Sequence, residues 1–249
     1  MIKFSYFNLF TMLGLYSLLS FTAWADPAHV AHKHHEDHKH HEDHKHHEGH
    51  KHHEDHKPAH HHSFDHPEKW AKKWEGKKRD QEQQPHAVMK HCGIEAGMTV
   101  VDLGVGTGYF TPYLARQVGQ KGKVLALDIE AQMIDWIKAK VIKHQWTQVE
   151  PKLVKPNDPM LAPQTIDRIL IVNVWHHIDQ RQAYLSKLTT ALKASGKLCI
   201  VEFKLDSPWG PPKKHRLSPE TLKAELKKGG MKGFQQLDLL NQYVLVSRP

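Results

Sequence analysis

Short apolar runs alternate with amphipathic stretches along most of the chain. Runs of strand length occupy residues 99–103, 123–127, 149–154, 168–172 and 197–203. Stretches with apolar residues at helical spacing occupy 109–118, 131–143, 181–192 and 219–228, and short helices opened by proline occupy 67–74 and 85–91. Residues 234–246, broken near Asn241, predict a terminal β-hairpin.

The alternation of strands and helices predicts an α/β fold. Because the strands are largely apolar, we expect a mostly parallel sheet with helices on both faces. The inward-facing helical residues predicted by spacing are Met133, Ile134, Ile137, Val141, Tyr184, Leu185, Leu188 and Leu192. Ligands of such sheets bind beyond the carboxyl ends of the strands. This directs attention to residues 102–108, to Asp128 and to the segment after Val172.

The first 25 residues have the pattern of an export signal. A positive start at Lys3 precedes an apolar stretch over 4–21, and Ala23-Trp24-Ala25 has the small residues that signal peptidase recognises. Cleavage after Ala25 would place the protein in the periplasm. The alternative is an uncleaved helix that anchors the chain in the inner membrane. No later stretch is long and apolar enough to span a bilayer.

Residues 26–62 are dominated by a histidine repeat with a period of six. That period fits neither helix nor strand, and almost nothing in it can be buried, so we expect a disordered tract. Imidazole is a ligand for Zn, Ni and Cu ions, and dense spacing predicts a metal-binding tract. The predicted ligands are His32, His34, His35, His38, His40, His41, His44, His46, His47, His50, His52 and His53. A hydrated spacer is the alternative.

Residues 63–249 have the length and composition of one globular domain. They hold 29 Lys and Arg against 19 Asp and Glu, a net charge of +10, which attracts anionic ligands or surfaces. No nucleic-acid-binding motif accompanies this charge, so no nucleic-acid partner is expected. Of the two cysteines, Cys199 is expected to be a buried thiol, although an oxidising compartment would permit a bridge to Cys92.

A glycine-rich turn follows the first predicted strand. It reads Asp102-Leu103-Gly104-Val105-Gly106-Thr107-Gly108. A dinucleotide fingerprint needs a further glycine at Tyr109 or Thr111, so the spacing excludes that interpretation. Glycines at such a turn let the backbone approach a ligand closely.

This turn resembles motif I of the class I S-adenosylmethionine (SAM)-dependent methyltransferases. The resemblance continues at the ends of the next three strands, where the family places acidic or polar residues near the ribose, the adenine and the methyl group. It implies SAM as cofactor. The cofactor-binding residues implied are Asp102, Gly104, Gly106, Gly108, Asp128, Ile129, Asp158 and Asn173.

The remainder of 63–249 is similar to a bacterial subgroup of this family. The shared features are Arg79-Asp80 and Gln84-Pro85 in the lead-in, His176-His177 after the fourth strand, and a loop over 211–216. The resemblance implies a Rossmann-like fold with a mostly parallel seven-stranded sheet and a C-terminal antiparallel hairpin. It also implies that residues 63–97 form a helical lead-in, or lid.

Methyl transfer to a protonated acceptor requires alignment and a base. His176, His177 and His215 are the candidate catalytic residues, and they also suggest a metal site. Trp175, Arg79 and Arg216 are the candidate substrate-binding residues. The structural alternatives are a helix-capping role for one histidine of the His176–His177 pair, a core position for Trp175 and an ion pair for Arg216.

Three functions are compatible with these features. The first is an exported methyltransferase, a monomer or homodimer, that acts on a small-molecule or envelope substrate and binds metal through its tract. The second is a metal-buffering or metal-sensing protein with a non-catalytic methyltransferase-like domain. The third is a domain that binds an adenosine or other small ligand without chemistry.

Overall fold

The computed structural model describes residues 66–249. The predicted export signal over 1–25 and the predicted metal-binding tract over 26–62 lie outside the described residues and stay predictions. Within residues 66–249, no helix is long and apolar enough to cross a membrane.

The centre of the domain is a seven-stranded sheet with the order β3-β2-β1-β4-β5-β7-β6. Its strands are β1 Thr99–Leu103, β2 Lys123–Asp128, β3 Val149–Leu153, β4 Ile166–Val172, β5 Leu192–Phe203, β6 Lys232–Asp238 and β7 Gln242–Arg248. Strands β1 to β5 are parallel, and β7 is antiparallel to both of its neighbours, β5 and β6. The predicted mostly parallel sheet with a C-terminal hairpin is confirmed.

Within residues 66–249, seven helices surround the sheet. They are α1 Pro67–Trp74, α2 Lys77–Gln83, α3 Pro85–Cys92, α4 Thr111–Val118, α5 Ala131–His144, α6 Arg181–Ala191 and α7 Pro219–Lys228. Short 3₁₀ turns lie at Trp175–His177 and Lys213–His215. Helix α2 was not predicted, because its sequence is wholly polar and has no apolar stripe. Strand β5 begins five residues earlier than predicted, where Leu192 pairs with Ile166 before an irregularity in the register.

Apolar clusters lie on both faces of the sheet, as expected for a Rossmann-like fold. Helices α3, α4 and α5 cover one face, and helices α6 and α7 cover the other. Neighbouring residues of β1 serve opposite faces, since Val100 belongs to the first cluster and Val101 to the second. The predicted inward-facing helical residues are buried, except that Val141 is partly exposed.

Both cysteines are buried in the same apolar cluster as free thiols. Burial, together with the neighbouring Cys199 thiol, raises the pKa of Cys92 well above its ordinary value. The expectation that Cys199 is a buried thiol is confirmed.

Candidate active site

The glycine turn joins β1 to α4 at the carboxyl edge of the sheet. All three of its glycines have positive φ, with values of 73° at Gly104, 52° at Gly106 and 83° at Gly108. A Cβ at Gly104 would lie 2.4 Å from Val174 Cγ2, and a Cβ at Gly108 would lie 2.5 Å from Ile137 Cδ1. Glycine is therefore required there by both conformation and space.

Asp128 ends β2 and faces this turn. Its Oδ2 accepts a hydrogen bond from Gly106 N at 2.8 Å, and its Oδ1 accepts one from Glu130 N at 3.0 Å. Burial raises the pKa of Asp128, and these backbone N–H groups oppose the rise. Each carboxylate oxygen retains a lone pair, so the pair can accept hydrogen bonds from a vicinal diol. The next side chain, Ile129, is 46% exposed and provides an apolar surface beside that position.

Asp102 is buried at the carboxyl end of β1. Its Oδ2 has no hydrogen-bond partner among the described residues. Burial first, and the neighbouring Asp128 second, raise the pKa of Asp102 to about 7, while Arg79 opposes the rise. A buried acceptor without a partner is costly, and a cationic ligand group would satisfy it. A site for a diol beside a site for a cation fits SAM, which carries a ribose, an ammonium and a sulfonium.

Asn173, after β4, belongs to a hydrogen-bonded relay that crosses the sheet edge. Its Oδ1 accepts from Gln242 Nε2 at 2.5 Å, and Gln242 Oε1 accepts from Gln83 Nε2 at 2.9 Å. Gln83 and Gln242 are both buried. The relay ties helix α2 of the lead-in to the end of β4, where the resemblance places methyl transfer.

Asp158 lies in the loop after β3, on the predicted edge of the sheet. Its Oδ2 forms an ion pair with Lys187 at 3.1 Å, and its Oδ1 accepts from Met160 N at 2.8 Å. The hydrogen bond from Met160, followed by Lys187, lowers the pKa of Asp158. These contacts order the loop. The adenine-binding role of Asp158 stays a prediction.

His176 forms a buried pair with Glu202, a residue that the sequence analysis missed. His176 Nδ1 lies 2.8 Å from Glu202 Oε2, and His176 N donates to Glu202 Oε1 at 3.1 Å. The two side chains are only 3% and 1% exposed. A single glutamate near the end of the apolar strand β5 was the available signal, since such a residue requires a partner.

The other two candidate histidines are exposed. The His177 ring packs 4.1 Å from that of His176, and His215 lies in the second 3₁₀ turn. Over residues 66–249, no group of three or more His, Cys, Asp or Glu side chains is placed to hold a metal ion. The suggested metal site of His176, His177 and His215 is therefore wrong, because the His176 ring is buried against Glu202.

One substrate-binding assignment requires correction. Trp175 is completely buried, and its Nε1 donates to Glu225 Oε2 of α7 at 3.2 Å, so it is a core residue. Arg216 donates to backbone carbonyl oxygens of its own loop, including Pro211 O at 2.8 Å and Ser207 O at 2.6 Å. These contacts give Arg216 a structural role in the loop after β5, and its contact with a substrate stays a prediction.

Arg79 packs on the glycine turn as part of the lead-in. Its guanidinium lies 4.0 Å from the centre of the Tyr109 ring, and its Nε donates to Gln83 Oε1 at 2.6 Å. Burial lowers the pKa of Arg79 to about 10, although Tyr109 and the nearby carboxylates oppose the shift. These contacts give Arg79 a structural role, and its contact with a substrate stays a prediction.

Three further contacts hold the lead-in against the glycine turn, α4 and α5. Asp80 Oδ1 accepts from Tyr109 OH at 2.6 Å and from Tyr113 OH at 2.8 Å. Glu75 pairs with Lys140 at 2.7 Å. We call Asp80 with these two tyrosines the latch. The lead-in therefore lies beside the turn, as the predicted lid would.

The sequence and fold match known methyltransferases. Residues 100–196 match a family model described as a methyltransferase domain. The chain is 34% identical over 116 residues to a demethylmenaquinone methyltransferase of Lactobacillus johnsonii, covering 45% of this chain and 47% of that protein. It is 30% identical over 113 residues to the ubiquinone/menaquinone biosynthesis C-methyltransferase UbiE of Salmonella arizonae, covering 45% of each. The chain thus spans about half the length of the curated relatives it matches.

A solved structure extends the similarity to the whole described domain. The SAM-dependent methyltransferase from Aquifex aeolicus has 28% sequence identity and a TM-score of 0.69, covering 73% of this chain and 97% of that one. Residues 100–196 therefore resemble a methyltransferase domain, and the fold resembles that of the Aquifex aeolicus SAM-dependent methyltransferase.

Proposed function

We propose that this protein is an active SAM-dependent methyltransferase. One observation carries the proposal. The Asp128 carboxylate is held by two backbone N–H groups beside the glycine turn, where it can bind a diol. The unpartnered Asp102 oxygen at the same turn provides a second, cation-binding position. An empty scaffold has no need for a costly buried carboxylate of this kind.

The chain's own residues provide binding and proton transfer. When bound, SAM would supply a methyl group attached to a sulfonium sulfur, and that sulfur would become a neutral thioether on transfer. Because Glu202 engages His176 Nδ1, Nε2 is the ring nitrogen that remains to take a proton from the acceptor. Glu202 is a positioning residue that fixes the orientation and tautomer of the ring.

For the acceptor, we propose a small molecule methylated at an activated ring carbon. Support comes from the two relatives, which are a demethylmenaquinone methyltransferase and a ubiquinone/menaquinone biosynthesis C-methyltransferase. C-methylation of a ring replaces hydrogen by methyl, so the departing proton requires a base, and His176 is available for that role.

For the location, we propose the periplasm, with cleavage after Ala25, and a metal-binding role for the histidine tract. Both rest on the sequence of residues 1–62 alone. A processed N-terminus at Asp26 in protein recovered from the periplasm would support this location. Retention of Met1 in a membrane fraction would favour the anchored alternative.

Calorimetric titration with SAM tests the central proposal. The wild-type chain should bind SAM, and Asp128→Ala should bind at least about tenfold more weakly, because hydrogen bonds to a charged group are lost. Asp135→Ala is the matched control, since Asp135 is an exposed aspartate on α5 that pairs only with Lys138. The control should bind like the wild type.

Circular dichroism should first show that all three proteins are folded. If the folded wild-type chain gives no binding heat, the methyltransferase proposal fails, and a metal-buffering protein with a non-catalytic domain becomes the better interpretation. Equal binding by Asp128→Ala and wild type would show that SAM does not use this carboxylate.

A further inference from the structure

The exposed large apolar residues of the domain lie almost entirely at one edge of the sheet. Within residues 66–249 these are Ile129, Ile142, Leu153, Met160, Leu205, Trp209 and Leu240. All except Ile142 lie at or just beyond the carboxyl ends of the parallel strands, or in the turn between β6 and β7. Singly scattered exposed apolar residues are ordinary, but a concentration at one edge indicates an interaction surface.

The topology explains why the hairpin turn belongs to this edge. Strand β7 is antiparallel to β5, and its first residue, Gln242, pairs with Phe203 at the carboxyl end of β5. The turn that contains Leu240 therefore lies beside the loop that contains Leu205 and Trp209. In contrast, Ile142 lies in the last turn of α5, which returns to the opposite edge.

Leu205, Trp209 and Leu240 form a fixed surface, which we call the apolar rim. Their exposed fractions are 49%, 41% and 69%. Lys204 N donates to Asn241 O at 3.0 Å, which joins the two loops. Arg216 donates to Leu205 O at 3.1 Å and to Trp209 O at 3.3 Å, which holds both residues in place. The rim is therefore ordered by backbone contacts while its side chains face outward.

Cationic side chains border the apolar rim. Lys78 Nζ lies 4.8 Å from the centre of the Trp209 ring, and Lys213 and Lys214 are exposed in the adjoining 3₁₀ turn. The acidic residues nearby are Asp206 and Asp238, and Lys204 lies 3.8 Å from Asp238. Apolar and indole side chains surrounded by lysines suit the headgroup region of an anionic bilayer.

We propose that this edge docks on an anionic lipid surface, with the apolar rim inserted among the headgroups. Docking would place the carboxyl edge of the sheet, which carries the glycine turn, against the membrane. An acceptor dissolved in the lipid would then reach the site without crossing water. This route for the acceptor rests on the proposed methyltransferase function, whereas docking itself does not.

A fluorescent label at the apolar rim gives a direct test. Leu240→Cys in the full chain is coupled to an environment-sensitive dye, and Ile142→Cys, which is 78% exposed at the opposite edge in the wild type, is the matched control. Cys92 and Cys199 are buried and react slowly. Vesicles of phosphatidylcholine with phosphatidylglycerol should shift the emission of the dye at 240 to the blue and leave the dye at 142 unchanged. Pure phosphatidylcholine should give a smaller shift.

The two labelled variants share residues 1–65. If the protein bound vesicles through that segment alone, the emission of both dyes would stay unchanged, and this result would overturn the proposal. Equal shifts at the two positions would also overturn it. As a second measurement, Trp209→Ala combined with Leu240→Ser should reduce co-sedimentation with the anionic vesicles about tenfold, and Ile142→Ser should not. Unchanged co-sedimentation of the double variant would contradict a role for the rim. SAM binding measured in the absence of lipid separates failure of docking from failure of the cofactor site.

Discussion

The buried carboxyl of Asp102 lowers the stability of the folded protein at neutral pH, yet it provides an acceptor for a cationic ligand group. Its carboxyl is buried near Asp128, and its pKa rises from the ordinary 3.8 to about 7. A raised pKa in the folded state means that the folded chain binds the proton more tightly than the unfolded chain does. The resulting stability is fully present below about pH 4 and is lost as pH rises toward 7.

Replacing Asp102 by Asn should therefore stabilise the protein at high pH. We expect Asp102→Asn to increase the free energy of unfolding by about 2 kcal/mol at pH 8, and the gain should shrink toward zero near pH 4. Denaturant unfolding between pH 4 and pH 8 measures this gain, and Asp135→Asn, at an exposed position, is the control. A difference that is constant with pH would show that desolvation of the carboxylate is not the cause. The same variant should lose SAM affinity, because the acceptor for a cationic group is weakened.

At the scale of elements, helix α2 of the lead-in is held by polar contacts. It has no apolar stripe, and the latch and the Gln83–Gln242–Asn173 relay connect it to the rest of the domain, while the Glu75–Lys140 pair holds the residues just before it. Propensity and periodicity predicted α1 and α3 but gave no signal for α2. Its position depends on partners that are distant in the sequence, and only the folded structure brings them together.

Removing the latch hydroxyls should loosen the lead-in. In Tyr109→Phe/Tyr113→Phe, Asp80 loses both of its tyrosine donors, and hydrogen bonds to a charged acceptor contribute about 1.5–3 kcal/mol each. We expect trypsin cleavage after residues 77–79, followed by mass spectrometry, to accelerate at least about tenfold. Thr147→Ala, which removes an exposed hydrogen bond to Gln120, should leave the rate unchanged. Unaltered cleavage in the double variant would mean that the latch does not hold the lead-in.

At the scale of the whole molecule, an acidic histidine-rich tract precedes a basic globular domain in the sequence. Residues 63–249 carry the excess positive charge of the chain, whose total is +8. Residues 66–249 hold no candidate metal cluster, and the metal binding proposed for this protein rests on the sequence of residues 26–62. We therefore expect metal binding by the tract and SAM binding by the domain to be separable.

Deletion of residues 32–57 tests this separation. The full chain should take up several Zn ions per molecule at pH 7.5 and release them near pH 5, because ligating imidazoles must be deprotonated and their pKa lies near 6.5. The deleted chain should retain SAM binding and lose most of the Zn. Dialysis followed by elemental analysis measures the metal content. Equal Zn uptake by both chains would leave the tract as a spacer.

The sequence by itself determined the fold class, the strands and most helices, and the position of the glycine turn after the first strand. These features depend on local periodicity and on residues adjacent along the chain, such as the three glycines and Asp102. Asp128 was also found, because it ends a strand at a recognisable spacing. Tertiary structure alone decided the roles of the remaining polar residues. It paired His176 with Glu202, buried Trp175 and turned Arg216 onto its own loop, because each outcome depends on which distant backbone or side-chain group lies within hydrogen-bonding distance.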